Sequence, residues 1–205
     1  MAQAQVPDVV VRRLPLYLRT LTYMEDRGQE VVSSADLSKW TGFSPAQIRR
    51  DLSYFGEFGK QGLGYQVRYL REQLESILHV DQQWHLVLIG AGALGHALVK
   101  YQTFQRWNYY IEAVFDNDPK KIGQPIDGLP IQPMSELART IREKHIEIAI
   151  IAVPAEHAQE VGEQVVAAGV RAILNYAPIN LALPPEVHVS HIDPVVNLQS
   201  ITYYL

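Results

Sequence analysis

The stretch that most constrains this chain runs from Trp84 to Asp116. Trp84-His-Leu-Val-Leu-Ile89 is a short apolar run of strand type, Gly90-Ala-Gly92-Ala-Leu-Gly95 comes directly after it, and the residues from Ala97 onward read as a helix. A second apolar run, Tyr109 to Phe115, ends on Asp116. Glycine-rich turns are common by themselves. A strand before this one, a helix after it and an acid about 20 residues further on make it a dinucleotide-binding fingerprint. Gly90 permits the tight turn, Gly92 lets backbone approach a pyrophosphate, and Gly95 lets the helix lie close to the strand. The N–H groups and dipole at the helix start would hold the phosphates. The Asp116 carboxylate would accept hydrogen bonds from an adenosine ribose 2′-OH and repel a 2′-phosphate, which favours NAD(H) over NADP(H). A βα turn with no ligand, or with another nucleotide, would use the same glycines.

Beyond Asp116 the pattern of alternating elements continues. Asn117-Asp118-Pro119 is a turn, and Gly123 to Pro133 reads as a loop broken by proline and glycine. Ser135 caps a helix to about Lys144; Ile146 to Val153 is a strand buried on both faces, stopped by Pro154. Glu156 to Ala168 is a helix closed by Gly169, and Val170 to Leu174 is a further strand. Strands alternating with helices over about 110 residues predict an α/β fold with a doubly wound parallel sheet. The cofactor-binding set is Gly90, Ala91, Gly92, Ala93, Leu94, Gly95 and Asp116, with Val153 and Pro154 where the later strand stops.

The N-terminal part is organised differently. Val10, Leu14, Tyr17, Leu18, Leu21 and Met24 fall at helical spacing within residues 8–27, with Pro15 breaking or kinking the run. Ser33-Ser-Ala-Asp36 starts a short helix through Trp40 that turns Leu37 and Trp40 inward. After the turn Thr41-Gly42-Phe43, Ser44-Pro45-Ala46-Gln47 supplies an N-cap, a proline at the first helical position and a capping-box Gln. That second helix should run to about Phe55, burying Ile48, Leu52 and Phe55. Two short helices around a tight turn, the second carrying Gln47, Arg49, Arg50, Ser53 and Tyr54, read as a helix-turn-helix. Arg can fork to guanine and Gln to adenine, while Ser and Tyr more often bind phosphate. Asp51, on the same helix, orients an arginine rather than touching a base.

Four glycines in the nine residues from Gly56 to Gly64 suit a β-hairpin wing, with Lys60 at its tip reaching towards a minor groove. Charge agrees. The chain carries −4 overall, yet residues 39–71 hold six basic residues against Asp51 and Glu57, which points to a polyanionic partner for that patch alone. A small helical protein-binding module is the competing reading of residues 33–65. Tyr69 to Val80 is a further amphipathic helix, and residues 81–83 form a polar connector. The organisation expected is a winged helix-turn-helix over residues 1–80, a dinucleotide-binding domain over 84–192 and a terminal helix over 193–205. Val195, Leu198, Ile201 and Leu205 share one face of that helix, which must dock on its own domain or on a second subunit.

Several separate motifs stand in order along the chain: Arg13-Leu-Pro-Leu-Tyr-Leu-Arg19, Ile48-Arg-Arg-Asp-Leu-Ser-Tyr-Phe-Gly56, Gly62-Leu-Gly-Tyr65 and the glycine fingerprint, then Val114-Phe-Asp116, Asn175-Tyr-Ala-Pro178 and the tail from Leu198 to Leu205. In this combination the chain resembles the Rex family of redox-sensing transcriptional repressors over nearly its whole length. The resemblance implies a homodimer that binds inverted-repeat operator DNA when NADH is scarce and releases it when NADH accumulates, with the carboxy-terminal helix swapped between subunits. It further implies that Tyr101, on the helix after the fingerprint, and Asp193 lie near the nicotinamide, and that Arg19 pairs with Asp193 as a switch. Three positions depart from the family pattern. Gln61 stands where the wing more often has Arg, which bears on a DNA contact; Ala93 stands where relatives often have a polar or basic residue, which bears on a pyrophosphate contact. Pro194 stands where some relatives have a bulky apolar residue, which bears on telling reduced from oxidised nicotinamide.

Two other functions compete. A dehydrogenase needs an acid/base and a substrate domain, but the seven histidines show no catalytic pattern and the second domain is taken by the helix-turn-helix. His188 and His191 read as a surface or loop pair rather than a metal site, and Trp40, Trp84 and Trp107 as packing residues. A module for coenzyme A or another nucleotide conflicts with Asp116. The absence of cysteine excludes disulfides, thiol catalysis and Cys-ligated zinc. With no signal-peptide pattern at the start and no apolar run near the roughly 18 residues of a membrane span, the expected location is cytoplasmic.

Overall fold

Pro15 decides how the chain begins. It takes a first-turn position of its helix, where the missing N–H is not needed, so the break falls ahead of it at Arg12 and Arg13. Two helices result, α1 (Asp8–Val11) and α2 (Leu14–Glu25). The structure, a computed structural model, describes residues 6–60 and 62–205; Gln61 and the side chain of Lys60 lie outside the described residues. The chain divides into two compact units, one ending at Gln82 and the other beginning at Gln83.

In the first unit α2 is succeeded by β1 (Val31–Val32), α3 (Ser34–Thr41), α4 (Pro45–Ser53), β2 (Gly59–Lys60), β3 (Gly64–Gln66) and α5 (Val67–Ile77). Ser33 and Asp36 form a complete capping box on α3. At α4 only half of one exists. Ser44 Oγ accepts from the Gln47 N–H at 3.2 Å, while the Gln47 amide turns to Asp51 instead of back to the cap. Gly42, at φ 75°, makes the left-handed turn between α3 and α4. Helix α4 ends before Phe55, which is only half-buried. The wing pairs β2 with β3 antiparallel, and β1 adds a third strand on the other side of β3. Leu14, Tyr17, Leu21, Leu37, Ile48, Val67, Leu70 and Leu74 make a core with no measurable exposure. Trp40 is not part of it. It is 57% exposed, lying against Tyr23 with ring centroids 4.7 Å apart.

The second unit runs β4 (Trp84–Ile89), α6 (Ala93–Val99), α7 (Thr103–Arg106), β5 (Tyr109–Asp116), β6 (Pro125–Ile126), β7 (Leu129–Pro133), α8 (Leu137–Glu143), β8 (Ile148–Ile151), α9 (Ala155–Ala168), β9 (Ala172–Asn175), β10 (His188–His191) and α10 (Pro194–Thr202). Its seven-stranded sheet has the order β10-β9-β8-β4-β5-β7-β6, parallel except for β6. Residues on both faces of β4 and β8 are buried, Val87 and Ile151 in one cluster and Leu88 and Ile150 in another. Helices cover both sides, as a doubly wound sheet requires.

Three expectations change here. The stretch from Gly123 to Pro133 is a hairpin, not a loop. Asp127 and Gly128 have φ of 50° and 84°, which is the two-residue Asp-Gly hairpin turn; Pro125 is tolerated because it sits on the edge strand β6. Tyr101 lies beyond the end of α6, in the turn before α7, rather than on a helix. Ser135 lies within a 3-10 turn, Met134–Glu136, and caps nothing. His188 and His191 lie at the surface as expected, both exposed, on a strand, β10, that pairs parallel with β9. Among the described residues no helix is long and apolar enough to cross a membrane.

Candidate functional site

The strand order reverses direction between β4 and β8, and there the loops leaving the two strands part and open a crevice at their carboxyl ends. A cavity of about 560 Å³ occupies that place, lined by Gly90, Gly92, Ala93 and Leu94 from one loop and Ala152, Val153 and Pro154 from the other. Asp116, Asn117, Asp118 and Lys121 line its side, with Met134 and His157.

The three glycines have distinct geometric causes. Gly90 turns the chain at φ 106°, and a Cβ there would collide with the carbonyl of Ala152. A Cβ on Gly95 would collide with the carbonyl of Gly90, so only glycine lets α6 lie this close to the turn. Gly92 has nothing near its Cβ direction and is exposed, which leaves open room where a pyrophosphate would approach. The start of α6 has no side-chain cap, so a phosphate would satisfy N–H groups that a helix start leaves without partners. The residues present therefore fit a dinucleotide.

Asp116 ends β5 almost fully buried. Its Oδ2 accepts from the Ala91 N–H at 2.8 Å and from Lys121 Nζ at 2.9 Å, and its Oδ1 accepts from the Asp118 N–H at 2.9 Å. Burial alone would push this carboxyl up, but the Asp118 N–H, the Lys121 ammonium and the Ala91 N–H outweigh it and hold the pKa below the usual range. Ala91 and Gly95 thus support the crevice from behind, while the rest of the fingerprint faces it. Lys121 is a functional candidate that the fingerprint does not contain; the only signal was a basic residue five positions after the acid.

Two residues placed near the nicotinamide by resemblance do not line this cavity. Tyr101 is 53% exposed and meets Phe104 edge-on at 5.3 Å; burial, and then the charge interaction with Tyr101, raise the pKa of Tyr176. Asp193 caps α10 by accepting from the Val195 N–H at 2.9 Å. It borders a separate hollow of about 420 Å³ with Ala177, Pro178, His191 and Val196. The loop at that hollow is fixed by buried Asn175, whose Nδ2 donates to the carbonyls of Ala177 and Ile179. Helix α10 itself is unburied: Val195, Leu198 and Ile201 are 56–59% exposed.

On the first unit, Arg49, Arg50 and Ser53 are exposed on α4, Tyr54 is exposed at its C-cap, and Gln47 is half-buried in its first turn. Arg49 Nη1 donates to Ser34 Oγ at 2.8 Å, and the Ser53 hydroxyl donates to the Arg50 carbonyl. A hollow of about 570 Å³ lies between Arg49, the start of α3 and the wing glycines. Asp51 is fully buried and takes both prongs of Arg13, Nε at 2.6 Å and Nη2 at 2.7 Å. It also accepts from the Tyr17 hydroxyl and from Gln47 Nε2, each at 2.7 Å. The arginine that Asp51 orients is therefore on the N-terminal segment, not on its own helix. Arg19 is exposed on α2.

Comparison with known proteins places these features together. A putative DNA-binding protein N-terminus family matches residues 5–53, and a CoA binding domain family matches residues 81–179. The redox-sensing transcriptional repressor Rex of Roseiflexus sp. (strain RS-1) is 53% identical over 97% of this chain and 90% of its own length. That of Brevibacillus brevis (strain 47) is 46% identical over 98% and 97%. Among solved structures, the Rex-family repressor RSP in complex with β-NAD+ and operator DNA superimposes with a TM-score of 0.92 at 33% identity, covering 98% of this chain and 93% of that one. RSP in complex with β-NADH gives 0.89 at 31%, covering 98% and 94%.

Proposed function

The chain belongs to the Rex family of redox-sensing transcriptional repressors, and from that premise we propose that it binds inverted-repeat operator DNA as a homodimer and leaves it when NADH fills the crevice. The observation that carries the reading is the crevice at the switch point with Asp116 at its side, on the same chain as a capped, basic helix-turn-helix. Gly90, Gly92, Ala93 and Leu94 would hold the pyrophosphate, Asp116 the adenosine ribose, and Val153 and Pro154 the path to the nicotinamide. Gln47, Arg49, Arg50, Ser53, Tyr54 and Lys60 would meet the DNA. The relatives are named as repressors, not enzymes, and the work of a repressor puts the chain in the cytoplasm with the DNA.

The oxidised nicotinamide carries a positive charge that the reduced one lacks. A closed apolar pocket disfavours that charge by desolvation and so prefers NADH. If the pocket closes only in the arrangement whose two α4 helices do not match successive groove segments, filling it shifts the population off the operator. By reciprocity, operator DNA must weaken NADH binding by the same factor. The exposed apolar face of α10 would be covered by the second subunit, and Arg19 with Asp193 would supply the ion pair that closure makes or breaks. Related RSP has been crystallised with β-NAD+ together with operator DNA, and with β-NADH, in keeping with this order of preference.

The test is a titration of labelled palindromic DNA with and without NADH, together with a sedimentation measurement of subunit number. DNA affinity should fall as NADH saturates. Unchanged affinity at saturating NADH, or a monomer at working concentration, would overturn the proposal. A thermal-shift comparison of NADH, NADPH and coenzyme A checks the ligand, and NADH should give the largest shift.

A further inference from the structure

Gln47 occupies the first turn of α4, the part of a recognition helix that meets base edges. Its amide can point either of two ways, and the direction decides what it reads. In this helix the direction is fixed. Asp51, one turn further along, is fully buried and accepts from Gln47 Nε2 at 2.7 Å. An ionised carboxylate only accepts hydrogen bonds, so the nitrogen of the amide must face Asp51 and Oε1 must face elsewhere. Asp51 cannot yield to another arrangement, because Arg13 and Tyr17 occupy both of its oxygens. Arg13 is itself held over the Phe43 ring, 5.6 Å from its centroid. Burial would raise the Asp51 pKa, yet the bonds from Arg13, Tyr17 and Gln47 outweigh it and keep the group ionised.

We propose that Asp51 determines which base Gln47 reads. By holding one amide hydrogen it leaves Gln47 one donor and one acceptor to present. Adenine offers the complement in the major groove, N7 as acceptor and the N6 amine as donor. Guanine offers two acceptors, N7 and O6, and meets an amide with a single free N–H badly. Asp51 is a positioning residue: it touches no base, and it acts through the amide of Gln47.

This inference rests on the reading that α4 enters operator DNA, and the experiment separates the two. Full-length wild-type protein, Gln47→Met and Asp51→Asn are titrated against palindromes in which each half-site purine is in turn adenine, guanine or hypoxanthine. Hypoxanthine has guanine's major-groove edge without its minor-groove amine. Wild type should show one position per half-site where adenine is preferred over both others by about tenfold or more, the usual discrimination of a paired amide contact. Gln47→Met should lose the preference there and nowhere else, and folded Asp51→Asn should narrow it while still binding DNA. If Asp51→Asn does not fold, Arg13→Lys, which keeps the charge but loosens the hold on Asp51, takes its place: it should narrow the adenine preference at the Gln47 position, and an unchanged preference there overturns the inference. A base profile unchanged by Gln47→Met, a uniform loss on all sequences, or full adenine preference in folded Asp51→Asn overturns the inference. Failure of wild type to bind any palindrome would instead overturn the proposed function.

Discussion

Asp51 in the first unit and Asp116 in the second are both buried carboxylates, and in both the hydrogen bonds outweigh the burial that would raise the pKa. They differ in what surrounds them. Asp51 accepts four hydrogen bonds, all from side chains of its own unit, and lines neither the crevice nor the hollow beside the wing. Asp116 accepts three, two from backbone and one from a partly exposed lysine, and it borders a cavity of about 560 Å³. A carboxylate has roughly four acceptor positions. Asp51 is therefore saturated, whereas Asp116 keeps one free and gives a second to the partly exposed Lys121. A buried charge marks a binding site when it faces open space with acceptor capacity left; otherwise it is part of the framework.

Removing each carboxylate in turn puts this contrast to its most severe test. Asp51→Ala leaves Arg13 without its partner beside a buried hydroxyl, and the loss of a buried pair typically costs about 3–5 kcal/mol. Denaturant unfolding of the first unit should shift by that order, with NADH binding to the second unit retained. Asp116→Ala should do the reverse. It removes a charged acceptor worth about 1.5–3 kcal/mol, so NADH affinity should fall by about 10- to 150-fold with little change in the melting of the first unit. Equal effects of both variants on both readouts would erase the distinction.

The parts legible in the sequence are those whose chemistry is local. Gly90 arises from a turn and Gly95 from a close approach, and Ser33 and Ser44 announce helix starts within three residues. The illegible parts depend on distant partners or on context. Arg13 and Asp51 are 38 positions apart, so the sequence suggests only that Asp51 orients some arginine, not which. Trp40 fits a helical apolar stripe, but the core closes without it and leaves it on Tyr23. The Asp127-Gly128 turn is a strong hairpin signal that the prolines at 125, 130 and 133 obscure. Strand β10 has the pattern His-Val-Ser-His, too polar to read as a strand until β9 lies beside it.

Smaller effects extend the contrast to the exposed side. Asp36 carries the α3 capping box with its side chain 39% exposed, and the Ser33 hydroxyl, then Lys39, hold its pKa down to about 2. A carboxyl depressed in the folded state stabilises above its unfolded value, about 3.9, and that contribution is lost as the pH falls through the folded value. Asp36→Asn should therefore destabilise the first unit at neutral pH by about 0.3–1 kcal/mol, the usual worth of a carboxylate at a helix start. The gap between variant and wild type should close between about pH 4 and pH 2. A gap independent of pH would mean that the charge plays no part.

The smallest effect tests whether Asp116 is held in reserve as its surroundings suggest. Lys121 takes one acceptor position on Oδ2 beside the Ala91 N–H, and its ammonium is partly exposed. A ribose with two hydroxyls would need that position, so the lysine competes with one of them. The same positive charge softens the repulsion between Asp116 and a 2′-phosphate. Lys121→Met removes both influences at once. An ion pair this exposed is worth about 0.2–1 kcal/mol, so NADH affinity should change by no more than about fivefold. NADPH affinity should fall, and the ratio of the two should move towards NADH. Calorimetric titration of wild type and variant with both nucleotides measures that ratio. A rise in NADPH affinity would mean that the Lys121 side chain blocks the adenosine end rather than offsetting the charge of Asp116.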